Sequence, residues 1–189
     1  DGSLQKLSLI GEDLLSAGLL VDIIGAVPDE QIHEFKGLLI SALKRLAPKA
    51  GQPLNPQYAG VLRIARRLKA PDVSSIVLDH MMLLPPYHFP TEPLPGGWGS
   101  AELSEHSERG VQGLAASTVV EYGDAQAMQR YRSLLNAAYP ELKRVMIWAL
   151  GKSPDPEDFE NLWLMRLQVK DTAMQDTIKR ALNAMTVSM

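Results

Sequence analysis

The sequence predicts an all-α protein, a stack of about nine or ten helices interrupted by one long proline-rich insertion. Apolar residues recur at three- and four-residue steps along most of the chain, which is the spacing of one helix face. No stretch alternates apolar and polar residues long enough to predict a strand. Five of the 13 prolines fall between residues 85 and 109, and this density excludes a helix there.

Length and composition fit a single helical domain over residues 1–189, with helical halves 1–84 and 110–189 and the insertion 85–109. The formal net charge is −3, and it falls in the insertion, because each half is balanced. A chain so nearly neutral does not demand nucleic acid or an anionic membrane as its partner.

The chain contains no cysteine, which excludes disulfides, thiolate nucleophiles and cysteine-ligated metals. This composition fits a reducing compartment, so we expect a cytoplasmic location. No apolar run approaches the roughly 18 residues of a spanning helix, and no basic segment of signal-peptide type occurs near residue 1. The sequence therefore predicts neither a membrane span nor a signal peptide.

The first half reads as four helices. The first, Gly11–Val27, is apolar on all sides and is expected to be buried. Asp29 is the expected N-cap of the second, which runs to Leu46. The third, Pro56–Lys69, is the clearest amphipathic helix, and Val73–Leu84 follows it. The expected inward face of the third helix is Tyr58, Val61, Leu62, Ala65 and Leu68.

The second half is predicted to hold five helices. Gly123 is expected to end the first of them in the left-handed conformation, and Asp124 to cap the next. Pro140 fits the first turn of the third, in which Ala149 lies on the inward stripe. The apolar residues of the fourth are Phe159, Leu162, Trp163 and Leu167, and the last helix spans about Thr172–Met185.

A short turn containing aspartate, usually beside proline, recurs between pairs of helices. It ends at Asp29, Asp72, Asp124 and Asp155, and the insertion stretches the second interval. The segment Arg144–Pro156, RVMIWALGKSPDP, resembles the end of the second helix of a HEAT-like repeat and the turn into the next unit. Weaker copies are Arg63–Asp72 and Val119–Ala127.

The resemblance to HEAT-like proteins covers most of Gly11–Met185. It implies a HEAT/ARM-like α-α superhelix, in which helix pairs stack and present an extended concave binding face. The uneven spacing of the turns and the long insertion depart from a regular array, so a globular helical bundle is the alternative fold.

The sequence holds no phosphate loop, dinucleotide fingerprint or nucleophile elbow. His33-Glu34 begins like a zinc-protease motif, but Gly37 stands where the second histidine would be. Five side chains around the insertion could form a metal site. Their spacing does not match a metal-ligand motif, so we favour the interpretation that they are ordinary polar groups of loops and helix ends. They are Asp79, His80, His88, Glu105 and His106. We therefore predict no catalytic residue, no metal and no cofactor.

Three arginines, Arg63, Arg66 and Arg67, lie at i, i+3 and i+4 of the third helix. Some HEAT-like proteins are DNA glycosylases that hold the duplex in a basic concave face. This resemblance makes a nucleic-acid-binding protein of glycosylase type the alternative function. The favoured interpretation is a solvated helix face, because strong nucleic-acid binders are usually basic overall.

The insertion carries three aromatic residues among its prolines: Tyr87, Phe89 and Trp98. A loop this long inside a compact domain is usually functional or disordered, so it serves either as a lid over the helical array or as a binding loop. The leading hypothesis is a non-catalytic protein-binding module, an adaptor, chaperone or toxin-neutralising partner. Its candidate contact residues are those three aromatics with Arg63, Arg66 and Arg67.

Overall fold

The computed structural model describes residues 17–84 and 110–188. These two ranges form nine α-helices and two short 3₁₀ helices, and they contain no β-strand, which confirms the all-α class. The α-helices are α1 Ala17–Gly25, α2 Lys36–Arg45, α3 Tyr58–Arg66, α4 Pro71–His80, α5 Val111–Tyr122, α6 Ala125–Ala137, α7 Pro140–Leu150, α8 Pro156–Gln168 and α9 Thr172–Ser188. The 3₁₀ helices are Asp29–Phe35 and Met81–Leu83.

The helix starts follow their local sequence in three of four cases. Asp124 Oδ1 accepts the Ala127 amide at 2.8 Å, so Asp124 is the predicted N-cap. Asp155, in the turn predicted to open a helix, accepts the Glu157 amide through Oδ1 at 2.9 Å and is an N-cap as well. Pro140 occupies the first turn of α7. The prediction for Asp29 was wrong, because Asp29 is the first residue of the 3₁₀ helix and caps nothing.

The second predicted helix divides into a 3₁₀ turn, Asp29–Phe35, and the regular helix α2. Ile32 of the 3₁₀ turn and Leu39 of α2 are both fully buried. The inward face predicted for the third helix is confirmed, since Tyr58, Val61, Leu62, Ala65 and, just beyond the end of α3, Leu68 are all buried.

The extensive helix–helix contacts among the described helices join neighbours one or two positions apart in the chain. Helices α1, α3, α5, α7 and α9 follow one another as the odd row, and α2, α4 and α6 as the even row. Helix α5 contacts α3 and α7 within its row and α4 and α6 in the other. Every residue from Gln112 to Val120 is therefore buried, and the core runs through both halves of the chain.

Helix α1 differs from its prediction. Its sequence is apolar on all sides, yet Ile24 is buried whereas Ile23 is 37% exposed. Among the described helices, the extensive contact of α1 is with α3. Apolarity predicted burial, but the extent of burial depends on how much of the helix surface its neighbours cover.

Two glycines end helices for a steric reason. Gly123 has φ −70° and ψ 145°, so the predicted left-handed conformation was wrong. A Cβ there would lie 2.4 Å from the Val119 carbonyl oxygen. A Cβ on Gly151 would lie 2.9 Å from the Cα of Ala181, so this glycine allows α9 to approach the end of α7 closely.

The points where the chain leaves and re-enters the described structure are fixed to each other. The Leu84 carbonyl accepts the Gln112 Nε2 donor at 3.3 Å and the Tyr139 hydroxyl at 3.2 Å. Gln112 stands in the first turn of α5, two residues after Gly110. Hydrogen bonds therefore join the residues that flank segment 85–109.

Replacing Pro86–Gly99 with a short Gly/Ser linker is expected to leave a folded helical protein. Helices α4 and α5 pack directly on each other, and loop-closure entropy varies slowly with loop length. Circular dichroism and thermal melting of the shortened chain measure this. A chain that loses its helical signal would show that the insertion is a structural lid instead.

Among the helices that the structure describes, none has both the length and the apolar character needed to cross a bilayer.

Candidate functional site

Arg66 of the predicted basic face links α3 to α5. Its Nη2 donates to both carboxylate oxygens of Glu121, at 2.6 and 2.7 Å, and its Nη1 donates to Ser117 Oγ at 3.1 Å. The guanidinium carbon also lies 5.8 Å from the centre of the Tyr122 ring. One nitrogen thus donates to both oxygens of a single carboxylate, and this charge-assisted contact commits the Arg66 guanidinium to a carboxylate of the same chain.

Arg67 holds the end of α1. Its Nε donates to Asp29 Oδ1 at 2.6 Å, and its terminal nitrogens donate to the carbonyls of Gly25 and Val27. Carbonyls at the end of a helix lack partners within it, so a cation there is favourable. Arg63 is exposed. The structure thus separates the three arginines into one exposed cation and two that connect helices.

Another cation of the odd row is Lys152. Lys152 follows α7 and its Nζ lies 4.4 Å from the centre of the Trp148 ring. Partial burial, and secondarily the positive charge of Arg66, lower the pKa of Lys152 to about 8. We call Arg66, Glu121, Tyr122, Trp148 and Lys152 the odd-row cluster, since α3, α5 and the end of α7 supply its members.

The odd-row cluster places a partly neutral amine beside aromatic and charged groups at physiological pH. An amine with a lowered pKa can act as a nucleophile or a base. Sequence reasoning missed Lys152, although it lies within the repeat-like segment. Its shift depends on burial and on Arg66 of another helix, and neither can be read from the residues around position 152.

We expect the Lys152 amine to titrate with a midpoint near pH 8, far below an ordinary lysine. Competitive acetylation across pH 6–11 with peptide mass spectrometry measures this midpoint. In Arg66→Gln the midpoint should rise, because one positive neighbour is removed. A midpoint close to that of the exposed Lys170, measured in the same samples, would contradict the prediction.

The side chains considered for a metal site do not come together within the described residues. His80 is buried at the end of α4, and its Nδ1 is hydrogen-bonded to the Tyr58 hydroxyl at 2.9 Å. Burial lowers the pKa of His80, so the neutral imidazole is favoured there. Asp79 is paired with Arg130. In residues 17–84 and 110–188 no group of three potential metal ligands forms.

Part of the predicted site lies outside the described residues. This applies to the aromatic contact candidates and to three of the metal candidates: Tyr87, Phe89, Trp98, His88, Glu105 and His106.

Helix α8 carries an exposed apolar surface that the sequence did not predict. Of the four apolar residues that the sequence places on this helix, Leu162 is buried and Phe159 is half-buried. Trp163 is 47% exposed and Leu167 is 72% exposed, and Leu164 beside them is 50% exposed. We call Trp163, Leu164 and Leu167 the α8 patch. Leu167 lies four residues after Trp163 and three after Leu164, so it is a neighbour of both on the helix surface.

Charged residues hold α8 in place from the other side. Arg132 of α6 donates through Nε to Asp158 Oδ1 at 2.7 Å and through Nη2 to Asp155 Oδ2 at 2.9 Å. Its Nη1 lies 3.0 Å from Glu157 Oε2. Helix α8 is thus tied to the even row at its first turn and packs along α9. Its outward face carries the α8 patch.

Comparisons of the chain with protein-family models, with curated proteins and with solved structures give no match.

Proposed function

We propose that this protein is a non-catalytic protein-binding module, an adaptor, chaperone or toxin-neutralising partner. The observation that carries the proposal is the α8 patch, a contiguous group of large apolar side chains exposed on one helix. Rows of exposed apolar side chains on a folded protein mark sites of protein interaction. The insertion, with Tyr87, Phe89 and Trp98, is proposed as a second contact region.

We further propose that the helices form a HEAT/ARM-like α-α superhelix. The support is the ladder of contacts, in which each described helix packs mainly on neighbours one or two positions along the chain. In such stacks each unit contacts adjacent units, and the unit at an end needs a polar outer face to stay soluble. Helix α8 belongs to the last helix pair described and has an apolar outer face, so another protein surface is expected to cover it.

Nucleic-acid binding through the arginine face receives less support. Arg66 and Arg67 are engaged by Glu121, Asp29 and main-chain carbonyls, so a phosphate would have to displace these partners. We expect weak binding to DNA or RNA that is lost near physiological salt, because exposed Arg63 alone supplies few phosphate contacts.

The test is affinity capture from native-host extract by the full chain and by two variants. Leu164→Glu/Leu167→Glu places two charges in the α8 patch. Asn161→Glu/Gln168→Glu places the same charges at exposed polar positions on the same helix. The patch variant should lose the captured protein, whereas the control should retain it. The same result is expected if the captured protein is a second copy of this chain. Equal retention by both folded variants would overturn the α8 patch as the binding surface.

A contribution of the insertion is measured with the shortened chain lacking Pro86–Gly99. If the insertion binds, the shortened protein captures less of the same partner while its melting temperature changes little. Undiminished capture would exclude the insertion as a contact region and leave the helices as the binding surface.

A further inference from the structure

The buried pair of Tyr58 and His80 joins two helices through one hydrogen bond. Tyr58 begins α3 and His80 ends α4, and the hydroxyl oxygen of Tyr58 lies 2.9 Å from His80 Nδ1. Both side chains are buried, and their ring centres are 5.7 Å apart. Among the described residues His80 is the hydrogen-bond partner of the Tyr58 hydroxyl, so the two buried groups satisfy each other.

This hydrogen bond requires a neutral imidazole. Burial raises the pKa of Tyr58, so its hydroxyl keeps its proton and donates to His80 Nδ1. An imidazolium carries hydrogen on both ring nitrogens and accepts at neither. Protonation of His80 therefore sets two donors against each other, and if the ring donates instead, the hydroxyl proton loses its acceptor. Either arrangement leaves a buried polar group without a partner, which costs free energy.

The one nearby carboxylate that acts on His80 is that of Asp79. Its negative charge raises the pKa of His80, but burial lowers it and has the larger effect. Asp79 is exposed and paired with Arg130 of α6, so its charge is already compensated. The neutral ring therefore remains the favoured form in the folded protein.

Among the described elements packed against α4, none adds a further anion near His80. Residues 111–120 of α5 and residues 81–83 carry no ionisable side chain, and Glu121 at the far end of α5 is paired with Arg66. Helix α6 carries Tyr131, bonded to a carbonyl of α7, and Arg132, paired with the start of α8. The charged side chains of α2 are all cations, which oppose another positive charge: Lys36, Lys44 and Arg45.

We propose that the Tyr58–His80 pair is an acid-sensitive switch, which fixes the end of α4 at neutral pH and releases it when His80 is protonated. The released stretch is the end of α4 with residues 81–84, because His80 directly precedes the 3₁₀ helix Met81–Leu83. At the other end of this stretch the Leu84 carbonyl accepts hydrogen bonds from Gln112 and Tyr139. The Tyr58–His80 bond is thus one of two attachments that hold these few residues.

The pH range of the switch follows from the direction of the shift. In the opened state the imidazole is solvated and has its ordinary pKa of 6.5, whereas burial lowers this pKa in the closed state. The opened state therefore binds more protons as the pH falls below 6.5, and acidification favours it. Above that pH the ring is neutral in both states and the closed state keeps its full advantage. Each unit by which burial lowers the pKa weakens the closed state about ten-fold once both states are protonated.

Hydrogen exchange of the full chain, followed by peptide mass spectrometry at about pH 7.5 and about pH 5, tests the switch. The reporter is a peptide spanning residues 76–84, and residues 140–150 of α7 are the internal reference. After correction for intrinsic exchange rates, we expect protection of residues 76–84 to fall about ten-fold on acidification. The reference should change much less. Equal changes in both peptides would overturn the switch, because they would show a general loss of stability.

His80→Asn removes the titrating ring and keeps a side-chain acceptor for the Tyr58 hydroxyl. The folded variant should therefore lose the acid-dependent fall in protection of residues 76–84. His33→Asn is the matched control, because His33 is exposed on the 3₁₀ helix Asp29–Phe35, and this variant should retain the fall. The same pH dependence in His80→Asn as in the unmodified protein would overturn the proposal.

The imidazole titration of the unmodified protein is a second measurement that requires no variant to fold. In nuclear magnetic resonance spectra the ring signals of His80 should titrate at a lower midpoint than those of His33. The exchange of residues 76–84 should rise over the same pH range in which His80 is protonated. A His80 midpoint equal to or above that of His33 would overturn the switch.

Discussion

Replacing Arg132 with alanine is expected to lower the free energy of unfolding by about 3 kcal/mol. Asp158 is 2% exposed, and Arg132 supplies its partner through two hydrogen bonds at 2.7 and 3.1 Å. Removing the guanidinium leaves a carboxylate buried without its cation, which is far more costly than losing a surface pair. Urea unfolding at neutral pH followed by circular dichroism measures the loss.

The matched control is Arg130→Ala, two residues earlier on α6. Arg130 pairs with Asp79, and the two side chains are 46% and 58% exposed, so solvent screens their attraction. We expect a loss of about 0–1 kcal/mol for this variant. Adding Asp158→Ala to Arg132→Ala should cost less than Asp158→Ala does alone, because the two side chains act as a pair. Similar small losses for both arginine variants would contradict the structural role assigned to Arg132.

Ala149→Trp is expected to destabilise the protein by about 1–3 kcal/mol or more. Ala149 is fully buried on α7, which packs against α5 and α9, so an indole cannot be accommodated without moving a helix. Thermal and urea unfolding of the purified variant measure the change.

Glu141→Trp controls for the indole itself, because Glu141 is exposed at the start of the same helix. Its free energy of unfolding should stay within about 0.5 kcal/mol of the unmodified protein. If Ala149→Trp were equally harmless, the packing of α7 between α5 and α9 would be wrong.

The helical class and several local features were predictable from sequence because each depends on neighbours along the chain. The 3.6-residue period assigns Tyr58, Val61 and Leu62 to one face, and the structure buries all three. Asp124 and Asp155 cap helices through amides three and two residues away, respectively. Pro140 begins α7 because its missing amide donor costs nothing in a first turn.

The candidate site was less predictable because its members are distant in sequence. Arg66 meets Glu121 of α5, and Arg67 meets Asp29, which the sequence assigned to a helix cap. A local pattern shows three arginines on one helix face, but it does not show which carboxylates the fold brings there. The resemblance to HEAT-like repeats stays a prediction.

The sequence by itself determined that the described chain is helical, where most of its helices begin and which residues of α3 face inward. The tertiary structure decided how many faces of each helix are covered. Residues 112–120 of α5 are all buried whereas Ile23 of α1 is exposed, since among the described helices α5 has neighbours in both rows and α1 makes its extensive contact with α3. The α8 patch has the same cause: periodicity marks an apolar face, but only packing provides a neighbour to cover it.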